Sequence, residues 1–195
     1  MKTAVLIDGG HLRASTKAVG REYDNILIEK FAHTCVHPDE YLLRIFYYDS
    51  PQFRGTVTLP VSGLQTKFNA SDQWLKELAK LDRFAVRRGA IGFRGWHPRK
   101  IPIAPAAPLQ DQDFKPIFEQ KGVDMRIGLD VASFCDRRTV DRIVLVSGDT
   151  DMVPVMKHAR KAGLEVVLCQ IPPPALRLHD DLVGHADLIR AVAWP

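Results

Sequence analysis

Two carboxylates one residue apart, Asp149 and Asp151, close the stretch VLVSGDTD at residues 144–151. A third, Asp8, follows the apolar run TAVLI at residues 3–7, and a fourth, Asp124, lies within KGVDMRIGLDV at 121–131. Each has an ordinary use. Asp8 suits a turn, Asp124 favours a helix dipole, and Asp149 and Asp151 suit a helix cap. Placed together, at two strand ends and one helix start, they converge on one patch if the two strands are neighbours. Like charges packed that way raise one another's pKa unless a cation compensates them. A divalent ion is the simplest compensation, and an all-oxygen set favours Mg²⁺ or Mn²⁺ over zinc. No cluster of His or Cys competes for that role.

The elements that must position these acids read as alternating strands and helices. TAVLI is apolar on both faces, as a central parallel strand is, and YLLRIFYY at 41–48 reads the same way before Asp49. Helical spacing covers 22–36, with one or two helices over 62–81 and a cap at Ser71–Asp72. RFAVRRGAIGF at 83–93 reads as a third strand. Residues 94–120 hold Pro98, Pro102, Pro105, Pro108 and Pro116, which exclude a continuous helix and predict a long loop or flap. A helix is expected over 121–136, a strand through DRIVLVSGD, a helix over 151–162 stopped by Gly163, and a strand at 164–169. Pro172–Pro174 break the chain, and 175–192 add a short helix and a last strand. The pattern predicts an α/β fold with a mainly parallel sheet, whose site lies at the carboxyl ends of its strands.

The bulk numbers set the class. A chain of 195 residues with 46% hydrophobic content suits a single domain with a real core. No apolar run is long enough to span a membrane, and MKTAVLIDGG turns polar too early for a signal peptide. Cys35, Cys135 and Cys169 are scattered with no CxxC pair, against a disulfide scaffold or zinc ribbon. The expectation is a reduced, cytoplasmic protein. A net charge of +4 is compatible with a polyanionic partner without requiring one.

VLIDGGHL at 5–12, KGVDMRIGLDV at 121–131 and RIVLVSGDTDMVPVMKHARKAGLEV at 142–166 resemble the three blocks of the NYN domain, the family that includes the LabA-like proteins, within the PIN-like nuclease superfamily. ADLI at 186–189 fits as well. The resemblance implies a three-layer α/β/α fold around a central, mainly parallel sheet of five or six strands. It implies one such domain over 1–195, with the proline-rich flap at about 94–120, and an acidic pocket that holds Mg²⁺ or Mn²⁺ and cuts RNA. Carried over by residue, Asp8, Asp124 and Asp149 match the metal-binding carboxylates, with Asp151 a fourth catalytic acid. Asp130 matches the second block, but six residues of helix set it roughly 9 Å from Asp124 along the axis, in a supporting or structural place. Where the family has Asn three residues after its first Asp, this chain has His11, which could orient that acid, add a nitrogen ligand or titrate. Ser147 and Thr150 could bond a phosphate or orient the acids.

Binding of single-stranded RNA would draw on cations around the pocket. The candidates are Arg13, Lys17, Arg88, Arg126 and Lys157, joined by Arg87, Arg94, Arg160 and Lys161, with Trp96 and His97 to stack on bases. Two other readings stay open. One is a catalytically degenerate domain that binds RNA or protein; the other is a phosphatase with a strand-end Asp nucleophile, against which stands the placement of DxD after the fourth strand. Homo-oligomerisation is left open.

Overall fold

The computed structural model describes residues 1–103, 108–172 and 177–195. Pro105 and residues 173–176 of the expected proline break lie outside them. Six strands make one parallel sheet: β1 (Lys2–Asp8), β2 (Tyr41–Asp49), β5 (Phe84–Arg88), β8 (Arg142–Val146), β9 (Glu165–Gln170) and β10 (Leu188–Ala191). Their spatial order is β10-β9-β8-β1-β2-β5. Side chains alternate across a strand. Ala4 and Leu6 of β1 therefore enter one apolar layer, and Val5 and Ile7 the other. The first layer is closed by α4 (Val123–Arg137), α5 (Val153–Lys161) and α6 (Asp180–Val183). The second is closed by α1 (Gly9–Ala18), α2 (Asn25–Thr34) and α3 (Gln73–Leu78). The result is a three-layer α/β/α fold, in which both sheet faces are covered and the central strands read as unbroken apolar runs.

Between β2 and α4 the chain departs from the simple alternation. β3 (Arg54–Thr58) and β4 (Gln65–Asn69) form an antiparallel hairpin, so only Gln73–Leu78 of the helical expectation over 62–81 is helix. Leu64 and Phe68 do stand four apart, but Gly63 turns at a φ of 70° and the strand face alternates instead. Asp72 takes the N-cap position without a side-chain cap bond, and the Ser71 Oγ accepts from the Gln73 N–H at 3.1 Å.

The expected third strand is two strands. Gly89 ends β5, and β6 (Ala90–Pro98) turns away to pair antiparallel with β7 (Phe114–Lys121). A Cβ at Gly89 would stand 2.5 Å from the Ser50 Oγ, 2.8 Å from a Val123 methyl and 2.9 Å from the Lys121 carbonyl, so only glycine fits this corner. The two ends of the expected loop at 94–120, residues 94–98 and 114–120, are therefore strands of a β-ribbon, with a 3-10 turn at Asp111–Asp113 between them. Its prolines exclude helix, but a two-stranded ribbon has two edges, and Pro98 and Pro116 occupy ladder positions within it.

The amino edge of the sheet is closed by charge. Glu40, its side chain only 2% exposed, accepts from Arg190 Nη1 at 3.0 Å and pairs with Arg142 of β8. Burial opposes the Glu40 charge, but hydrogen bonds from Arg190, the His37 backbone and Arg142 outweigh it and hold the carboxyl down to about 2. A depressed acid stabilises the fold in full above its ordinary value near 4.5 and loses that contribution as pH falls toward 2. Glu40→Gln leaves two largely buried guanidiniums short of their charge partner and should cost about 3–5 kcal/mol at neutral pH. Urea unfolding should also show a flatter loss of stability between pH 5 and 2 than in the wild type.

Candidate acidic site at the carboxyl edge of the sheet

β1 and β8 are paired so that Ile7 faces Val146. Asp8 and Ser147, one residue further along each strand, therefore meet, and the Ser147 Oγ donates to Asp8 Oδ2 at 3.2 Å. Asp8 also caps α1, its Oδ1 accepting from the backbone N–H groups of Gly10 at 2.9 Å and His11 at 3.2 Å. Ser147 in turn accepts from the Asp149 N–H at 3.2 Å. Asp149 Oδ1 accepts from the Asp151 N–H at 2.9 Å, capping the 3-10 turn Thr150–Met152 that leads into α5. The strand-end and cap roles thus coexist: each acid is fixed by the turn it makes.

Asp124 opens α4 after Gly122, which takes a φ of 78° and brings no side-chain cap. Partial burial pushes its carboxyl above the ordinary range, and the charges of Asp149, Asp8 and Asp151 push it further. The four acids therefore share one electrostatic patch. Among the described residues no Lys, Arg or His is ion-paired with any of them.

A cavity of about 680 Å³ lies against two of them, lined by Asp8, His11, Gly148, Asp149 and Thr150 together with Arg177–Asp180. His11 packs on Gly148, where a Cβ would stand 2.7 Å from the imidazole Cε1. Burial lowers the His11 pKa against the pull of Asp8, so its ring is neutral at neutral pH. The wall at 177–180 was not anticipated. It follows β9 and passes over the carboxyl edge, and the rule that sites gather at that edge was the signal that could have found it.

Several expected contacts are absent from this patch. Asp130 accepts from the Tyr48 hydroxyl at 2.9 Å and the Arg87 Nε at 2.8 Å, a structural tie between α4 and the sheet. Arg13 is committed to Asp49, the buried acid that ends β2, and stacks 5.3 Å from the Tyr23 ring. Arg88 is committed to Asp72. Lys17 sits nine residues along α1 from Asp8, roughly 13 Å of helix. Lys157 lines a different cavity with Arg160, Lys161, Glu165 and Asp187, where β9 begins rather than where it ends. Arg126 is exposed in the first turn of α4, two residues from Asp124 and so on a different side of that helix.

The donor chemistry and the uncompensated charge fit a hard divalent cation. Among the described residues, however, no three His, Cys, Asp or Glu side chains are gathered closely enough to ligate one ion as they are placed. Asp8 has both oxygens engaged and Asp149 one, so sharing an ion requires these side chains to turn.

If the patch is shared as described, Asp149→Asn should lower the Asp124 pKa toward the ordinary carboxylate range, since Asn removes the charge but keeps the Oδ1 cap. Between that range and the raised value the folded state holds the extra proton, so wild-type stability falls as pH rises through this window. Carboxyl-carbon NMR titration in chelator checks this; an Asp124 value unmoved by the substitution would place Asp149 outside the patch.

The comparisons fit this geometry. Residues 2–183 match the NYN domain. A crystal structure of a protein of unknown function from Vibrio parahaemolyticus superposes with a TM-score of 0.52 at 17% identity, covering 97% of this chain and 91% of that one, a likeness of fold. Comparison with curated proteins finds no match. With a family match over nearly its whole length and the six-stranded parallel sheet beneath it, the chain belongs to the NYN domain family, of the PIN-like nuclease superfamily.

Proposed function

We propose that this NYN domain is a metal-dependent endoribonuclease that hydrolyses phosphodiester bonds of single-stranded RNA at the acidic patch. The observation that carries the reading is the state of Asp124. Partial burial raises its carboxyl and three neighbouring carboxylates raise it further, and no basic side chain among the described residues is paired with any of the four. A fold gains nothing in stability from such an arrangement, whereas a site that takes up a cation requires it.

Asp8, Asp124 and Asp149 are the residues that would hold Mg²⁺ or Mn²⁺. Such an ion, when bound, polarises a phosphoryl oxygen and offsets the charge that develops on it. Ser147 holds Asp8 and the Asp149 backbone in place through its hydroxyl. Gly148, with no side chain, lets the neutral His11 ring close on the turn. Asp151, exposed and free of an ion pair among the described residues, is the acid that would take the proton of an attacking water. Thr150 lines the same cavity and offers a hydroxyl to a phosphate oxygen. Arg126, exposed in the first turn of α4, is a cation of that helix that would meet the RNA backbone.

Two observations favour a second reading, an RNA- or protein-binding domain that does not cut. Among the described residues the acids do not gather three to a point, and His11 stands where the family's first block has Asn. The two readings part in one assay. Full-length protein with Mn²⁺ or Mg²⁺ should cleave a labelled single-stranded RNA. Asp8→Asn and Asp149→Asn should each slow cleavage by more than about 100-fold without unfolding the chain. RNA binding without metal-dependent cleavage, equal in wild type and variants, would leave the binding domain as the function.

A further inference from the structure

We infer that the two β-hairpins inserted beside the acidic patch form a nucleic-acid-gripping arm, whose outward β3–β4 face binds the RNA backbone. The inference rests on the ribonuclease reading for its ligand class, and on the structure for its place.

An acidic patch repels a polyanion, so affinity for RNA must come from cations elsewhere. The hairpin segments 51–69 and 90–121 hold seven Lys and Arg against three Asp and Glu, a net +4. That equals the net charge of the whole chain, so the remainder is neutral. The arm is thus where the molecule keeps its excess positive charge.

It is also anchored beside the acids. One end leaves the sheet after Asp49, and the other runs through Lys121 and Gly122 directly into Asp124. At its root the Gly89 N–H donates to the Asp49 carbonyl at 2.9 Å, and Ser50, Val123 and the Lys121 backbone crowd the corner that only Gly89 fits. The two hairpins are held to each other by aromatic rings. Phe118 packs on Phe53 at 5.2 Å and on Phe68 at 5.4 Å between centroids, and Phe93 packs on Phe53 at 6.2 Å. The Trp96 indole N–H donates to the Thr58 carbonyl at 2.8 Å. Trp96 is therefore a joint between the hairpins, already in use, and not the base-stacking platform expected from the sequence.

With the rings turned inward, the opposite face of β3–β4 presents Arg54, Thr56, Thr58, Gln65, Lys67 and Asn69, all exposed. It is a row of hydrogen-bonding groups with two cations and no carboxylate. The outer face of β6–β7 differs, since Arg94 and Lys121 there are both drawn to Glu119. A second copy of the chain is a poor occupant, because the two arms would meet with like charge.

The test measures affinity for a labelled single-stranded oligoribonucleotide in chelator, across a salt series, with full-length wild type and R54A/K67A. Both residues are exposed, so circular dichroism should show an unchanged fold. The double variant should bind about tenfold more weakly near physiological salt, and its log–log salt slope should be shallower by about 1.4. R54K/K67R should bind as the wild type does. Affinity and slope unmoved in R54A/K67A would overturn the proposal and leave this face to an acidic protein partner; Mn²⁺-dependent cleavage in that same case would keep the ribonuclease reading. Arm-dependent binding with no cleavage would do the reverse.

Discussion

The parallel pairing of Lys2–Asp8 with Arg142–Val146 is the constraint on which the candidate site depends. These strands lie 139 residues apart at Asp8 and Ser147, yet their register sets those residues side by side with a direct hydrogen bond. The pairing is paid for by apolar burial: Ala4–Ile7 and Val144–Val146 are fully buried. Once it is made, both chains must leave the sheet at the same edge and turn into helices. The residues at those turns then need side chains that accept backbone N–H groups. Asp8 and Asp149 satisfy that local need, and satisfying it brings two carboxylates to one place. A helix start on the neighbouring layer adds Asp124, which no turn requires to be acidic.

The two edges of the sheet treat charge in opposite ways. At the amino edge a buried carboxylate, Glu40, is surrounded by Arg142 and Arg190 and held ionised far below its ordinary range. At the carboxyl edge the acids gather with no basic ion-pair partner among the described residues, and burial and the neighbouring acids hold Asp124 above its ordinary range. The first arrangement ties β2, β8 and β10 together. The second supplies no such tie, and it is the arrangement on which the proposed function rests. Asp49 stands between these cases. It is buried at the carboxyl edge and burial raises it, but Arg13 and the Tyr47 hydroxyl share its charge, so it supports α1 rather than the open patch.

The strands of the sheet and the acids that end them were legible because a doubly covered parallel strand leaves an unbroken apolar run, as TAVLI does. The carboxyl-edge rule then followed without coordinates. The helix Gly9–Ala18 was not legible, since it opens on two glycines and buries only Leu12, Ser15 and Thr16 beyond them. The ribbon of Ala90–Pro98 and Phe114–Lys121 was legible only at 90–93, because its pairing is nonlocal and prolines mark a loop in local sequence, whereas a two-stranded ribbon accommodates them on its free edges. Cations were the least legible class. Arg13, Arg88 and Lys157 face other partners or another cavity, and a long charged side chain leaves no periodic trace of where its head group goes.

The proposed function requires the carboxylates at this edge to be a cation site and not only a set of helix caps. Calorimetric titration of metal-free protein with Mn²⁺ distinguishes the two. Saturable binding is expected in the wild type and lost in Asp149→Asn, with a rise in thermal stability on Mn²⁺ addition lost in the same variant. Wild type and Asp149→Asn indistinguishable in both readings at millimolar Mn²⁺ would contradict the cation site.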